Sequence, residues 1–221
     1  GASGNSYSDN TYVGYIAGTA NTTGGNNVGV GSSALKTNTT GAANTAVGKS
    51  SLSTNSTGDS NTAVGKGALE ANTTAGNNTA VGASSLEANT TGASNAAVGK
   101  SALLANTTGD NNVALGLEAL TANTVGDRST ALGNYALKSQ NPATNADMYN
   151  IGVGHNAGGD ISTGTLNTAV GGLSLDATTT GAANTAVGYN SLGANTTANN
   201  NTALGAYTLE DNTTGTANTA V

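Results

Sequence analysis

The chain has no cysteine, no phenylalanine and no tryptophan, and a single proline, methionine and histidine. Without cysteine there is no disulfide framework and no thiolate metal site, so backbone hydrogen bonding and stacking must hold the fold. With His155 as the one histidine, a conventional nucleophile and base pair has a single place to be built, and no G-x-S-x-G elbow flanks a serine. Apolar residues make up 36% of the 221 and tyrosine supplies every aromatic ring, which is too little large apolar material for a conventional globular core. The longest apolar run is a few residues, far short of the roughly 20 needed to span a bilayer. Charge is sparse: 12 acidic and 6 basic side chains give a net charge of −6. With no lysine or arginine cluster to neutralise phosphates, nucleic acid is a poor partner. The sequence shows no signal peptide, but it begins at Gly1 without a methionine, so processing or trimming could have removed one.

What is present is a repeat. Taking the closing glycine of N-T-A-V-G as reference, equivalents fall at Gly14, Gly31, Gly48, Gly65, Gly82, Gly99, Gly116 and Gly133, each 17 residues after the last. One step of 21 follows, then Gly154, Gly171, Gly188 and Gly205. A fixed period near 20 residues means one small unit stacked on copies of itself, which predicts a single all-β parallel β-solenoid over residues 1–221 with about 13 coils. Low charge and abundant Gly, Asn, Thr, Ser and Ala are also compatible with disorder, but a disordered chain has no reason to hold leucine at one phase of the cycle.

Four residues after the reference glycine stands a leucine column that includes Leu52, Leu69, Leu86 and Leu103, and one residue before it a column that includes Val47, Val64, Val81 and Val98. These two columns are read as the core. Alternation within N-T-A-V-G places the Thr and Val positions on one face and the Ala and Gly positions on the other. Val28, Val113 and Ile151 in the Thr column favour that face as the inner one. The outward Ala face would then be a plain solvent face or, as preferred here, a surface for close packing against a neighbouring chain. Asn44, Asn61, Asn78 and Asn95 open successive strands and are expected to stack as a turn ladder, since asparagine tolerates left-handed backbone and bonds local backbone groups. A second short strand carries [AS]-L, and N-T-T-G closes the coil. Asn-Thr-Thr also matches the glycosylation acceptor pattern, although a corner ladder explains it more simply.

The step of 21 adds four residues within 140–149, and inserted loops are where recognition often sits. Tyr135, Asp147, Tyr149 and His155 are the candidate ligand-binding residues there, the rings offering a stacking surface for a sugar. A tolerated loop without a ligand is the simpler and preferred account. Paired carboxylates for glycoside cleavage would have to come from Asp110, Glu118 and Asp127, which read as solvated corners. Neither a cofactor nor a metal is expected, since the calcium-binding nonapeptide repeat is absent.

The combination N-T-A-V-G, [AS]-L and N-T-T-G resembles the head repeats of YadA-like trimeric autotransporter adhesins. It is still more similar to the repeat tracts of phage tail fibres and bacterial surface fibres that often precede an endosialidase-type chaperone domain. The resemblance runs from Asn10 to Val221, although the adhesin heads have shorter coils. It implies a left-handed parallel β-roll, three chains side by side, and a role in attachment to a cell surface or glycan, outside the cell or on a virion. One valine and one leucine per coil offset little of the cost of ordering its backbone, which also favours a homo-oligomer. Val221 completes the N-T-A-V of another repeat whose glycine would be the next residue, so a longer natural fibre is expected. An ice-binding solenoid and a polysaccharide-degrading tailspike are the alternatives.

Overall fold

The computed structural model describes residues 9–221; the first eight residues of the predicted 1–221 repeat domain lie outside the described part. The chain divides into two compact units, 9–108 and 109–221, each a parallel β-solenoid without helix, and together they hold about 12 turns. In the first unit lie β1 (Thr11–Val13), β2 (Val28–Val30), β3 (Thr45–Val47), β4 (Thr62–Val64), β5 (Thr79–Val81) and β6 (Ala96–Val98). The second unit holds β7 (Val113–Leu115), β8 (Gly126–Asp127), β9 (Thr130–Leu132), β10 (Ala146–Asp147), β11 (Ile151–Val153), β12 (Thr168–Val170), β13 (Thr185–Val187), β14 (Thr202–Leu204) and β15 (Thr219–Ala220).

Strand pairing is parallel and follows the sequence period. Thr45, Ala46 and Val47 face Thr62, Ala63 and Val64, so each column becomes a straight file up the sheet. Across the longer step the register is kept: Thr130, Ala131 and Leu132 pair with Ile151, Gly152 and Val153. The extra length is absorbed at the corner before the strand, where β8 and β10 form a short pair of their own.

The predicted second strand around [AS]-L is instead a run of turns. Its leucines adopt left-handed backbone, with φ 48° at Leu52 and 51° at Leu69, and the Asn55 N–H donates back to the Leu52 carbonyl at 3.3 Å. Bonds between coils persist there, Leu52 N–H donating to Ala68 O at 3.0 Å and Thr54 N–H to Glu70 O at 3.2 Å. Left-handed backbone costs an L-residue about 1–2 kcal/mol. What accompanies it is a leucine turned fully inward, since Leu35, Leu52, Leu69, Leu86 and Leu103 are all 0% exposed.

The two strand faces are the reverse of the sequence reading. Ala46, Ala63, Ala80 and Ala97 are 0% exposed, whereas Val47, Val64, Val81 and Val98 stand at the surface with 36–38% exposure. The alternation is the one the sequence indicates, and its polarity is inverted. The coil interior is so narrow that the leucine of the opposite segment nearly fills it, leaving the strand room for alanine or less: a Cβ added to Gly152 would come within 3.0 Å of the Leu137 side chain. The larger β-branched residue therefore faces out, and the Ala file cannot be the surface for a neighbouring chain.

The exceptions prove the volume argument. Tyr12 occupies an Ala position, and Gly18 replaces the leucine opposite while Gly29 replaces the next alanine; a Cβ at either would strike the Tyr12 ring, at 2.5 and 2.8 Å. Gly158 is the other leucine replacement, and Ile161 and Leu137 close on it from 2.8 Å.

Two asparagine ladders seal the corners. The ladder predicted through Asn44, Asn61, Asn78 and Asn95 is present and buried. Asn44 Oδ1 accepts the Asn61 N–H at 2.9 Å while its Nδ2 donates to Gly58 O of the next coil at 2.8 Å. The N-T-T-G asparagines form the second: Asn55 Nδ2 donates to Asn38 Oδ1 at 2.8 Å, and Asn72 Nδ2 to Asn55 Oδ1 at 2.8 Å. Asn38, Asn72, Asn89, Asn106 and Asn195 are 0% exposed, so glycosylation of these amides is incompatible with the folded chain.

Candidate functional site

The inserted segment begins and ends inside the molecule. Gln140 is fully buried at a position that holds asparagine in most coils. Its Nε2 donates to Asn123 Oδ1 at 3.2 Å and to Ser129 Oγ at 3.0 Å, and its Oε1 accepts from Asn150 Nδ2 at 2.9 Å. Ser129 stands where the other ladder would have asparagine, so a long amide reaches across to a short hydroxyl and joins the two ladders. Met148 is also buried, its N–H donating to Asp127 O at 3.1 Å and its carbonyl accepting from Leu166 N–H at 2.8 Å. Residues 143–145 between them are exposed.

The four predicted ligand-binding residues fall into two pairs at opposite ends of the β9–β11 strands. Before β11, the Asp147 carboxylate is paired with the Arg128 guanidinium. The Tyr149 hydroxyl donates to Asp147 Oδ2 at 3.3 Å, and the Arg128 Cζ lies 6.0 Å from the Tyr149 ring centre. After β11, the Tyr135 and His155 rings meet edge to face, centroids 5.7 Å apart at 86°. The first group satisfies itself internally and leaves no charge for a ligand. The second presents rings at the corner that follows the reference glycine. Two further aromatics stand at that corner, Tyr189 two coils and Tyr207 three coils after His155, with centroids 5.4 Å apart at 71°. Sequence reasoning missed them, and missed Arg128, because it searched the insertion rather than the columns one and two residues after each glycine.

Carboxylates elsewhere are bound into corners. Asp127 Oδ1 accepts the Asp110 N–H at 2.7 Å, and Lys138 Nζ lies 3.8 Å from Asp160 Oδ1. Partial burial, reinforced by the like charge of Asp160, raises the Asp176 carboxyl above the ordinary aspartate range, against opposing backbone hydrogen bonds. Among the described residues no group of three or more His, Asp or Glu side chains gathers into a metal-binding arrangement, and no helix is long and apolar enough to cross a membrane.

No known protein family, curated protein or solved structure matches the chain.

Proposed function

We propose that the chain is a structural and adhesive segment of an extracellular fibre, from a bacterial surface or a virion tail, in which three copies associate side by side and present their corners to a cell surface or glycan. One observation carries the reading: the valine file lies on the outside of the sheet, in register from coil to coil. Contiguous exposed apolar surface of this kind marks an interaction site. A face of identical rungs is best matched by the same face in another copy, and closed symmetry about one axis buries it in all copies at once. The interface is therefore assigned to the Val and Thr files and not, as the sequence suggested, to the Ala file. No catalytic role is proposed. A native mass measurement tests the assembly: a trimer is expected, and a monomer at micromolar concentration would overturn it.

One feature favours a second reading. Thr and Val share a single outward face, so two files run along it in register, an arrangement on which an ice-binding solenoid could order water. Thermal hysteresis in a monomeric preparation would establish that function in place of the fibre.

A further inference from the structure

We propose that one corner of the second unit is a binding strip for a neutral linear polysaccharide. This rests on the attachment reading above and gives it a ligand class and a place. In five successive coils the first or second residue after the reference glycine is Tyr135, His155, Gly172, Tyr189 and Tyr207. The chain has seven tyrosines and one histidine, and half of these eight rings stand here. The equivalent corner of four coils in the first unit carries Lys49, Lys66, Ala83 and Lys100 instead.

The backbone beneath the strip is fixed. Leu173 N–H donates to His155 O at 3.0 Å, Asn190 N–H to Gly172 O at 3.0 Å and Tyr207 N–H to Tyr189 O at 2.9 Å. The backbone that carries the rings is thus ordered before any ligand arrives, which lowers the main-chain part of the ordering cost of binding. Coils rise by about 4.8 Å, close to the length of one pyranose unit along a chain. Successive sugars therefore meet successive rungs. Edge-to-face packing within each pair, at 86° and 71°, keeps the rings from stacking flat on one another, so the faces turned away from the partner ring are left for sugar C–H groups. Tyr189 and Tyr207 are 48% and 56% exposed.

Gly172 separates the two pairs, and no backbone requirement explains it. It lies outside the left-handed region, and an added Cβ would make ordinary contacts, 3.6 Å from the Tyr189 ring and 3.8 Å from His155 O. What the glycine does is keep the floor of the strip open between the aromatic pairs. Polar groups border it: Asn156 Oδ1 accepts from Lys138 Nζ at 3.1 Å, and Asn190 Nδ2 donates to Glu210 Oε1 at 2.6 Å, a chemistry suited to sugar hydroxyls.

Charge selects the class of polymer. Residues 109–221 carry eight carboxylates against Arg128 and Lys138, and those two cations already face Asp147 and Asp160. An anionic chain would be repelled.

Saturation-transfer NMR on the full chain with cellohexaose, mannohexaose, laminarihexaose and a heparin hexasaccharide tests the assignment. At least one neutral hexaose is expected to bind and the heparin fragment is not. Tyr189→Ala combined with Tyr207→Ala should weaken binding about tenfold, as loss of two aromatic contacts requires, with melting temperature and native mass unchanged. Tyr15→Ala, in the first unit, should leave binding as it was. Failure of all three neutral hexaoses, preference for the heparin fragment, or undiminished binding by the double variant would each overturn the strip. The native mass reports separately on the fibre reading, which stands or falls by it.

Discussion

At the scale of single residues, the fold depends on backbone conformations that most side chains resist. The reference glycines have φ between 130° and 140°, and a Cβ on Gly65 would fall on the carbonyl oxygen of Gly82 in the next coil. Conformation and contact both exclude a side chain. Gly65→Ala is therefore expected to cost about 3 kcal/mol or more and to lower the melting temperature by roughly 5–10 °C, read by circular dichroism. Asp176 tests electrostatics at the same scale. Its carboxyl is raised by burial first and by Asp160 in addition, so its contribution to stability is fully present below the unfolded aspartate pKa and is lost as pH rises through the folded value. Asp176→Asn should raise the melting temperature at neutral pH, and the difference from the parent should vanish near pH 3, below about 3.9. A constant difference across that range would refute the linkage. The leucine column was legible in the sequence because leucine returns at one phase of the cycle in all but the Gly18 and Gly158 coils. Its left-handed φ was not, because leucine carries none of the usual signals for that conformation, which belong to glycine and asparagine.

At the scale of the coil, buried amides do what apolar volume does in larger cores. Asn72 is fully buried, donates to Asn55 Oδ1 at 2.8 Å and to Ala75 O at 3.0 Å, and accepts from Asn89 Nδ2 at 2.9 Å. Asn72→Asp would set a carboxylate against two oxygen acceptors in a dry corner, at a cost of about 3–5 kcal/mol while ionised. Its melting temperature should drop sharply at neutral pH and recover in part on acidification, when the protonated acid again supplies a donor. A variant as stable as the parent at pH 7 would show that the ladder contributes little. The ladder through Asn44, Asn61, Asn78 and Asn95 could be read from sequence because one residue type recurs at one phase. The Gln140–Ser129 exchange could not, since it links two columns eleven residues apart whose proximity exists only once the chain has coiled. Nor could the polarity of the strand: a Thr-Ala-Val triplet fixes which residues share a face, while the width of the cavity decides which face is inside.

At the scale of the molecule, charge is divided unevenly between the units, whereas exposed apolar side chains occur in both. The first unit has four acidic and four basic residues, so the net charge of −6 belongs to the second. In the proposed fibre the exposed Val files would supply the surface for association. Val64→Lys together with Val81→Lys places two like charges on adjacent rungs of that face without touching the Ala and Leu interior. The pair is expected to shift native mass from trimer to monomer while the β-sheet circular dichroism spectrum is retained, because lysine on an outer face asks nothing of the core. Retention of the trimer would move the interface elsewhere on the coil. Loss of the β spectrum would show that these valines are needed for the fold of the single chain.

Within each unit, reference glycines lie against the carbonyl of the next, as Gly65 does on Gly82 and Gly133 on Gly154, and that spacing constrains how a gene of this kind can change. Any gain or loss must return every later strand to its partner, and the departure between Gly133 and Gly154 does so by confining its surplus to one corner. Duplication or excision of whole repeats meets the same condition with no compensating mutation at all. Recombination between near-identical segments can thus change the number of coils in a unit one rung at a time, and a population is expected to hold alleles that differ in coil number yet keep the same contacts between neighbouring coils.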